Sequence, residues 1–453
     1  MGTMPERKVL FDMAIPMMIS MLVQALYNVV DAVYVAQLSE DALNAVSLAF
    51  PLQNAMIAVA SGTCLGMNAL LSRYLGAGRR DLVDKVAGTG IFLCLISTMV
   101  SALIGLTCSR AFFLSFTDVE AIVDYGTDYL TICMTLSVGI FFQFCFERML
   151  QATGRTRITM ITQLVGALIN IVLDPILIFG LLGFPRMEVA GAAVATVAGQ
   201  IAAALLSMVL NMAKNKEVGI RWKNVRPHGE IVGEIYRIGF PSILMMSIGS
   251  FLNYMLNQIL IGFNTTATAV YGAYSKLQSF IFMPVFGLNN AMVPLISYNF
   301  GAKKKHRIRK IVRLTIFTAI AIMLVGFLLF ELCPGVLLRF FGAKEDMLQI
   351  GIPALRIIAT HFLLAGFCLI AGSVCQAIGN PLHSLTISIC RQMAALLPAA
   401  WLLSLTGKLE LVWLAFPIAE FVSLIFSSYF LKKTMKKVDA MPEEEETEPE
   451  PLV

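Results

Sequence analysis

Apolar residues run along this chain in long blocks that are separated by short polar segments. A helix that crosses a bilayer needs about 20 mostly apolar residues. Blocks of that length lie near residues 10–35, 44–72, 86–109, 122–146, 158–181, 188–212, 236–262, 268–298, 311–333, 347–373, 383–405 and 410–431. The sequence lacks the short alternating segments of a transmembrane barrel. The pattern therefore predicts an all-α membrane protein with twelve transmembrane helices.

The pattern repeats within the chain at a fixed offset of 225 residues. The segment IPMMISMLVQALYNVV at 15–30 resembles FPSILMMSIGSFLNYM at 240–255. The offset, which is 241 − 16 = 225, aligns Pro16 with Pro241, Met21 with Met246, Asn28 with Asn253, Gly76 with Gly301 and Gly154 with Gly379. One register kept over such a distance indicates two copies of one unit.

Each copy contains six predicted helices, so both copies have the same orientation in the membrane. Such repeats are related by a pseudo-twofold axis along the membrane normal, and the substrate path runs between them. We predict an N-lobe at residues 1–213, a cytoplasmic linker at 214–234, a C-lobe at 235–437 and an acidic disordered tail at 438–453.

Composition and charge fit a membrane protein and predict its orientation. Apolar residues make up 58% of the chain and charged residues 14%, whereas soluble domains are about 25% charged. Lys and Arg are concentrated in alternate loops, such as GAGRRDLVDK and GAKKKHRIRK. The positive-inside rule then places both termini in the cytoplasm. The basic residues are spread over many loops, so we expect no nucleic-acid partner.

The two predicted lobes differ in their polar residues. Ionisable residues at bilayer depth are costly and usually functional. The first copy contains Asp31, Glu147, Asn170 and Asp174, and adding 225 to these positions gives Leu256, Gly372, Ala395 and Ala399. The N-lobe is therefore predicted to perform a task that the C-lobe does not.

Polar residues of the N-lobe recur at helical spacing, which stacks them on single helix faces. These stripes contain Ser20, Gln24, Tyr27, Asn28, Asp31 and Tyr34; Gln143, Glu147 and Gln151; Gln163, Asn170 and Asp174; and Thr196 with Gln200. Carboxylate, amide and hydroxyl oxygens are ligands that a small cation prefers, and a buried carboxylate cluster can instead hold a proton. Pro175 leaves carbonyls near Ile171 and Val172 without donors, as further ligands.

Asp174 is interpreted as a coupling-ion residue, and a structural ion pair with Arg148 or Arg391 is the alternative. In the second copy, Lys276, Arg356 and Arg391 lie within apolar segments, with Glu420 as an available partner. Pairing inside the C-lobe is the favoured interpretation for these cations. Substrate contact or gating is the other. The nine cysteines and four histidines show no spacing for a disulfide framework or metal site, so no cofactor is expected.

The sequence resembles the multidrug and toxic compound extrusion family, the MATE transporters. The resemblance spans residue 8 to about residue 435 and rests on QALYNVVDAVYVAQL, QATGRTR, LINIVLDPILIFG and GAKKK. The run YGAYSKLQSFIFMPVFGLNNAMVPLISYNFGA is most similar to the MepA-like branch of bacterial members. Their superfamily also includes flippases for lipid-linked sugars.

The resemblance implies antiport of amphipathic, often cationic drugs against Na⁺ or H⁺ by alternating access. It implies a sodium or proton site whose positions match Asp31, Asn170, Asp174 and Thr196, with Glu147 where some relatives have Asn. Cavity candidates are Gln24, Tyr27, Asn28, Lys276 and Arg356. The expected partners are small-molecule drugs and membrane lipid, and we expect a monomer.

Two rival functions remain at this stage. A flippase for a lipid-linked sugar would need a cationic cavity for pyrophosphate, and the three cations of the second copy could supply one. A membrane enzyme is disfavoured, because the sequence lacks a metal triad, a Ser/His or Ser/Lys arrangement at helical spacing and a soluble catalytic domain.

Overall fold

The computed structural model describes residues 1–340 and 342–442, and within those ranges it contains helices and connecting turns but no strand. We number the helical crossings in chain order. They are α1 (Glu6–Ala36), α2 (Glu40–Gly76), α3 (Arg80–Leu114), α4 (Glu120–Thr135 and Val138–Ala152), α5 (Thr156–Phe179), α6 (Glu188–Lys214), α7 (Gly229–Ile261), α8 (Thr265–Gly301), α9 (Lys305–Leu332), α10 (Glu345–Ala359 and Phe362–Ala377), α11 (Pro381–Ser404) and α12 (Leu409–Asp439). A short helix, Pro334–Arg339, connects α9 to α10, and a 3-10 turn, Trp222–Asn224, lies in the linker.

Ten described helices are long and apolar enough to cross a membrane, and the number rises to twelve when each bent pair is taken as one span. The bends are 42° in α4 and 47° in α10. The breaks fall at residues 136–137 and 360–361, within one residue of the 225-residue offset. The crossings predicted at 122–146 and 347–373 therefore each consist of two helices that meet at a bend. Neither break contains a proline, the commonest sequence signal for a sharp kink.

The first helix of each lobe begins in the core of the other lobe. Leu10 and Met13 of α1 are buried among residues of α7 to α12. Their counterparts at the offset of 225, Ile235 and Ile238 of α7, are buried among residues of α1 to α6. Apolar burial therefore stabilises the junction between the lobes as well as each lobe.

Both ends of the described chain lie at one end of the bundle. Lys304 at the start of α9 donates to the carbonyl of Gly2 at 3.1 Å, and the neighbouring Arg309 donates to Asp439 at 2.9 Å. We call this the terminus end and the opposite side the open end. The predicted acidic tail lies largely outside the described residues, and α12 continues to Asp439.

The lobes touch backbone to backbone at the terminus end. A Cβ atom added to Gly76 of α2 would lie 1.9 Å from the carbonyl oxygen of Tyr298 in α8. A Cβ atom added to Gly301 would lie 2.0 Å from the carbonyl oxygen of Arg73. These contacts are symmetric, because 298 − 73 and 301 − 76 both equal 225. Only glycine permits this approach.

Hydrogen bonds between the lobes are confined to the terminus end and the middle of the bundle. Tyr74 donates to Glu234 at 2.7 Å near the end, and Asn54 of α2 donates to Ser250 of α7 at 2.6 Å near the middle. Among the described residues, none lies closer to the open end than the second of these bonds. One turn beyond the second bond, Phe50 of α2 and Tyr254 of α7 are exposed, which indicates that the lobes part toward the open end and leave a central cleft between α1, α2, α7 and α8.

Candidate functional site

A polar cluster lies inside the N-lobe where α5 packs against α6. Asn170 and Asp174 share one face of α5, four residues apart, and both are buried. The Asn170 amide Nδ2 donates to Asp174 Oδ1 and to Thr196 Oγ1 of α6, each at 3.3 Å. The helices approach closely because Gly199 faces the Gly166 carbonyl, where a Cβ atom would lie 2.6 Å from the oxygen.

Three buried oxygens belong to this cluster and to the facing part of α1. Asp31 Oδ1, Asn170 Oδ1 and Asp174 Oδ2 accept no hydrogen bond from the described residues. Asp31 and Asp174 are close enough for their charges to interact. Unpaired buried oxygens are costly, and their cost is relieved by a cation or a proton. Two carboxylates, an amide oxygen and a hydroxyl form a suitable ligand set for a small hard cation.

The ion-pair alternative for Asp174 is wrong in this structure. Arg148 donates instead to Gln151 Oε1 at 2.9 Å and to Asn290 Oδ1 of α8 at 3.1 Å. Arg391 lies 3.8 Å from Glu420. No basic side chain of the described residues lies within 4.0 Å of either Asp31 or Asp174. The two N-lobe acids therefore have no permanent countercharge in the described residues.

Pro175 follows Asp174 without ending the helix. The α5 helix continues through Pro175 to Phe179. Because proline has no amide hydrogen, the Ile171 carbonyl one turn earlier loses its usual donor. This carbonyl lies one turn before Asp174 and is a further oxygen that a cation could use.

Glu147 belongs to a second polar cluster. It is buried and accepts hydrogen bonds from Gln143 at 3.1 Å, Thr162 at 3.1 Å and Gln163 at 2.7 Å. Asp174 lies eleven residues beyond Gln163 on α5, which is about 16 Å at the rise of an α-helix. Glu147 is therefore too far from Asp174 for the two to ligate one ion directly.

The cavity candidates of α1 differ in exposure. Gln24 and Tyr27 are half-buried on the face that also carries Asp31, and Asn28 is exposed. Tyr27 lies one turn before Asp31, so the two side chains share one face of α1.

The C-lobe cations lie in three different settings. The predicted pairing of Arg391 is confirmed by its contact with Glu420, and Arg391 sits in a π-helical stretch of α11, Cys390–Leu396. Arg356 donates to the Glu331 carbonyl at 3.2 Å, near the open end of α9. Lys276 of α8 is exposed.

Sequence reasoning missed two residues of these networks. Thr162 completes the Glu147 cluster, and it could have been found because it precedes Gln163 on the polar face of α5. Asn290 accepts from Arg148 across the lobes. No periodicity identifies Asn290, because its role depends on how α8 packs against the N-lobe.

The arrangement defines a two-lobe helical membrane protein with unpaired acids in one lobe. The MatE family model matches residues 16–176 and 241–402, and the two matches begin 241 − 16 = 225 residues apart. Because these matches cover most of the chain, the protein belongs to the MatE family, as the resemblance implied. Matched relatives in this family are transporters, among them multidrug export proteins.

Individual relatives match along nearly the whole chain. Multidrug export protein MepA of Staphylococcus haemolyticus is 26% identical over 426 residues, which are 94% of this chain and 93% of the relative. The probable multidrug resistance protein YoeA of Bacillus subtilis is 28% identical over 93% of each chain. These matches confirm that the chain fits the MepA-like bacterial branch.

The fold matches solved transporter structures. An outward-facing multidrug resistance MATE family transporter of the MOP superfamily superposes with a TM-score of 0.91 at 25% identity, over 96% of this chain and 97% of that one. This match confirms the predicted fold class, an all-α membrane protein with two six-helix lobes.

Proposed function

We propose that this protein exports amphipathic and cationic drugs in exchange for Na⁺ or H⁺ by alternating access. The observation that carries the proposal is the set of three unpaired buried oxygens on Asp31, Asn170 and Asp174. A cation bound there, with Thr196 as a further ligand, would neutralise the acids. Binding at one site and drug release at another are then linked by reciprocal coupling.

The orientation follows from the charge of the loops. With both termini in the cytoplasm, the closed terminus end faces inward and the cleft opens outward. The similarity to an outward-facing transporter supports this orientation. Entry of one positive charge at a potential of 100 mV supplies about 2.3 kcal/mol when the exported drug is neutral overall. One-for-one exchange against a monocationic drug moves no net charge, and the concentration gradient of the ion then drives export.

The prolines of α1 and α5 are the expected sites of movement. Pro16 and Pro175 lie inside helices that carry Asp31 and Asp174, and proline weakens the helix at its preceding turn. We propose that neutralised acids allow one of these helices to bend, which narrows the cleft and releases drug. Glu147 is proposed to tune the coupling from its separate cluster. The protein is expected to act as a monomer in the bacterial plasma membrane.

The flippase alternative is not favoured. A pyrophosphate cavity would use several cations, but Arg391 lies beside Glu420 and Arg356 is bonded at the open end of α9. Only Lys276 among the three predicted cations has no hydrogen-bond or ion-pair partner in the described residues. A single lysine would neutralise only part of the negative charge of a pyrophosphate.

The deciding experiment is ethidium efflux from vesicles under sodium and pH gradients imposed separately. We expect one of the two gradients to drive efflux and the Asp31→Asn variant to lose that response. An Asp12→Asn variant, changed at an acid near the terminus end that lies 3.4 Å from Arg157, is the matched control and should respond normally. Efflux that ignores both gradients would contradict cation coupling.

A further inference from the structure

We propose that Lys276 forms a subsite for the carboxylate of an amphiphilic substrate bound in the central cleft. This inference rests on the proposed drug-export function and narrows its substrate class to aromatic amphiphiles that carry a carboxylate as well as a cationic group. It concerns the C-lobe wall of the cleft, which the cation site of the N-lobe does not reach.

Helix phase places Lys276 on the cleft side of α8. Gly287 of α8 lies against Met18 of α1, where an added Cβ atom would be 2.6 Å from the Met18 backbone. Lys276 lies eleven residues before Gly287, and eleven residues are about three helical turns. The two residues therefore share the face of α8 that is directed at the N-lobe.

Position along the helix places Lys276 where the lobes have parted. It lies about 16 Å from Gly287 toward the open end, and α8 begins eleven residues earlier still, at Thr265. A lysine at this depth that faced lipid would be costly. On the face that it shares with Gly287, its ammonium group instead reaches water in the cleft, which agrees with its exposure.

The charge of Lys276 is not balanced by the protein. No carboxylate of the described residues lies within 4.0 Å of its ammonium group, in contrast to Arg391, which lies 3.8 Å from Glu420. The cleft thus presents one uncompensated cation on its C-lobe wall.

The facing N-lobe wall is uncharged near this level. On α1, Val29 lies three turns beyond Met18 and is 39% exposed, and on α2, Phe50 lies one turn before Asn54 and is 59% exposed. The nearest acid on this wall is Asp31, which is half-buried with its Oδ1 fully buried. Neither Asp31 nor the buried Asp174 lies within 4.0 Å of the Lys276 ammonium group.

The remaining C-lobe wall suits an aromatic amphiphile. Ser250 of α7 marks the face that meets the N-lobe. Tyr254 and Asn257 lie one and two turns further toward the open end on that face, and both are exposed. An aromatic ring system can pack on Phe50 or Tyr254 while its carboxylate accepts hydrogen bonds from the Lys276 ammonium.

Two dyes that share one ring system and differ only at the carboxylate isolate the contribution of the carboxylate to binding. Rhodamine 110 carries a free carboxylate, and rhodamine 123 is its methyl ester. Binding to the purified full-length protein in lipid nanodiscs is measured by fluorescence polarisation. We expect Lys276→Gln to weaken rhodamine 110 binding about five-fold, as expected for loss of a solvent-exposed ion pair, and to leave rhodamine 123 binding unchanged.

Two further variants control the measurement. Lys276→Arg keeps the charge and should retain rhodamine 110 binding within about two-fold, since a partly exposed ion pair tolerates this change. Lys408→Gln removes an exposed lysine in the loop between α11 and α12 and should change neither dye. Equal weakening of both dyes by Lys276→Gln would overturn the subsite, and so would an unchanged affinity for rhodamine 110.

The same dyes distinguish this inference from the proposed function. Rhodamine 123 efflux under an imposed cation gradient tests drug export without involving the carboxylate. Suppose that the protein does not export rhodamine 123 but that Lys276→Gln still weakens rhodamine 110 binding. The export function is then rejected, and Lys276 remains an anion subsite. Export of rhodamine 123 by a protein that does not bind rhodamine 110 would reject the subsite alone.

Discussion

In the N-lobe, no basic side chain of the described residues lies within 4.0 Å of Asp31 or Asp174, whereas in the C-lobe the buried Glu420 lies 3.8 Å from Arg391. The lobes differ in countercharge and not in hydrogen bonding, because Glu420 Oε1 also lacks a hydrogen-bond partner. The lobes share one helix plan and one 225-residue register, so this difference is not a consequence of the fold. A paired acid already has its countercharge within the lobe. An acid without a countercharge can exchange a cation or a proton. We therefore propose that both repeats build the frame and that the N-lobe alone binds the coupling ion.

The largest effect is expected from neutralising Asp174, the acid at the centre of the N-lobe cluster. We expect Asp174→Asn to lower gradient-driven ethidium efflux about 100-fold, the upper range of a coupling free energy between two sites. The amide keeps the shape of the side chain but removes the charge that holds a cation. Efflux in vesicles containing equal amounts of protein is the measurement.

The control for that change is another acid of the N-lobe. Asp128→Asn alters a residue of α4 that makes no ion pair in the described structure, and it should leave efflux within about two-fold of normal because surface substitutions are usually mild. Normal efflux in Asp174→Asn would remove the coupling role of the cluster.

The second test concerns the symmetric glycine contacts by which the two lobes touch at the terminus end. Gly76→Ala and Gly301→Ala each place a Cβ atom within 2.0 Å of a backbone carbonyl of the other lobe. The closed terminus end must then separate, at a cost on the order of 1–3 kcal/mol. We expect both variants to shift the protein away from the outward-open state, measured as a longer spin-label distance between α2 and α8 at the terminus end.

Because the two contacts are related by the repeat, their effects should be similar. The Gly272→Ala variant is the control, since its Cβ atom would meet nothing within 4 Å. A large distance change in one glycine variant only would show that the lobes are not equivalent at their junction.

The third test separates a structural acid from a coupling acid. Glu420→Gln leaves the Arg391 cation without its partner, and we expect a loss of about 1–3 kcal/mol of stability, discounted because the Arg391 side chain is 24% exposed. The measurement is the melting temperature in detergent, with the ion dependence of efflux recorded in parallel.

The neutral double variant Arg391→Gln/Glu420→Gln should recover most of that stability, because neither charge is then left alone. Both variants should keep the ion dependence of the wild type. A changed choice of driving ion in Glu420→Gln would place part of the coupling chemistry in the C-lobe.

Much of the fold and part of the site could be predicted from the sequence. The apolar blocks predicted twelve helices, and helical spacing placed Asn170 beside Asp174, where the structure has them. The bends at residues 136–137 and 360–361 were not predicted because no proline marks them. The distance from Glu147 to Asp174 was not predicted either, since the two lie on different helices and periodicity does not show at which level of α5 the Glu147 side chain packs.

The inter-lobe contacts lay beyond sequence reasoning for a different reason. The bond from Arg148 to Asn290 and the approach of Gly76 to Tyr298 depend on how two lobes pack. Periodicity describes one helix at a time, so it predicts the buried face of a helix but not the particular residue on the other side.

The smallest expected effect concerns the segments that precede the first helix of each lobe. Glu6 at the start of α1 lies 3.0 Å from Lys310 and 3.7 Å from Arg307 of α9. Ahead of α7, Gly219 of the linker donates its amide to Asp84 of α3 at 2.7 Å. Each segment thus ties its own lobe to the third helix of the other, through side-chain charge in one case and a backbone amide in the other.

Glu6→Gln should weaken only the charged tie, by about 0.5–1 kcal/mol because Lys310 is exposed and salt screens the pair. The expected result is a two- to five-fold rise in the rate at which a cysteine introduced at the terminus end of α8 reacts with a water-soluble maleimide. Raising the salt concentration should produce the same rise in the wild type and little further change in the variant. A salt effect of equal size in both proteins would contradict this prediction. It would indicate that the symmetric glycine contacts keep the terminus end closed and that the charged and the backbone contact do not differ measurably.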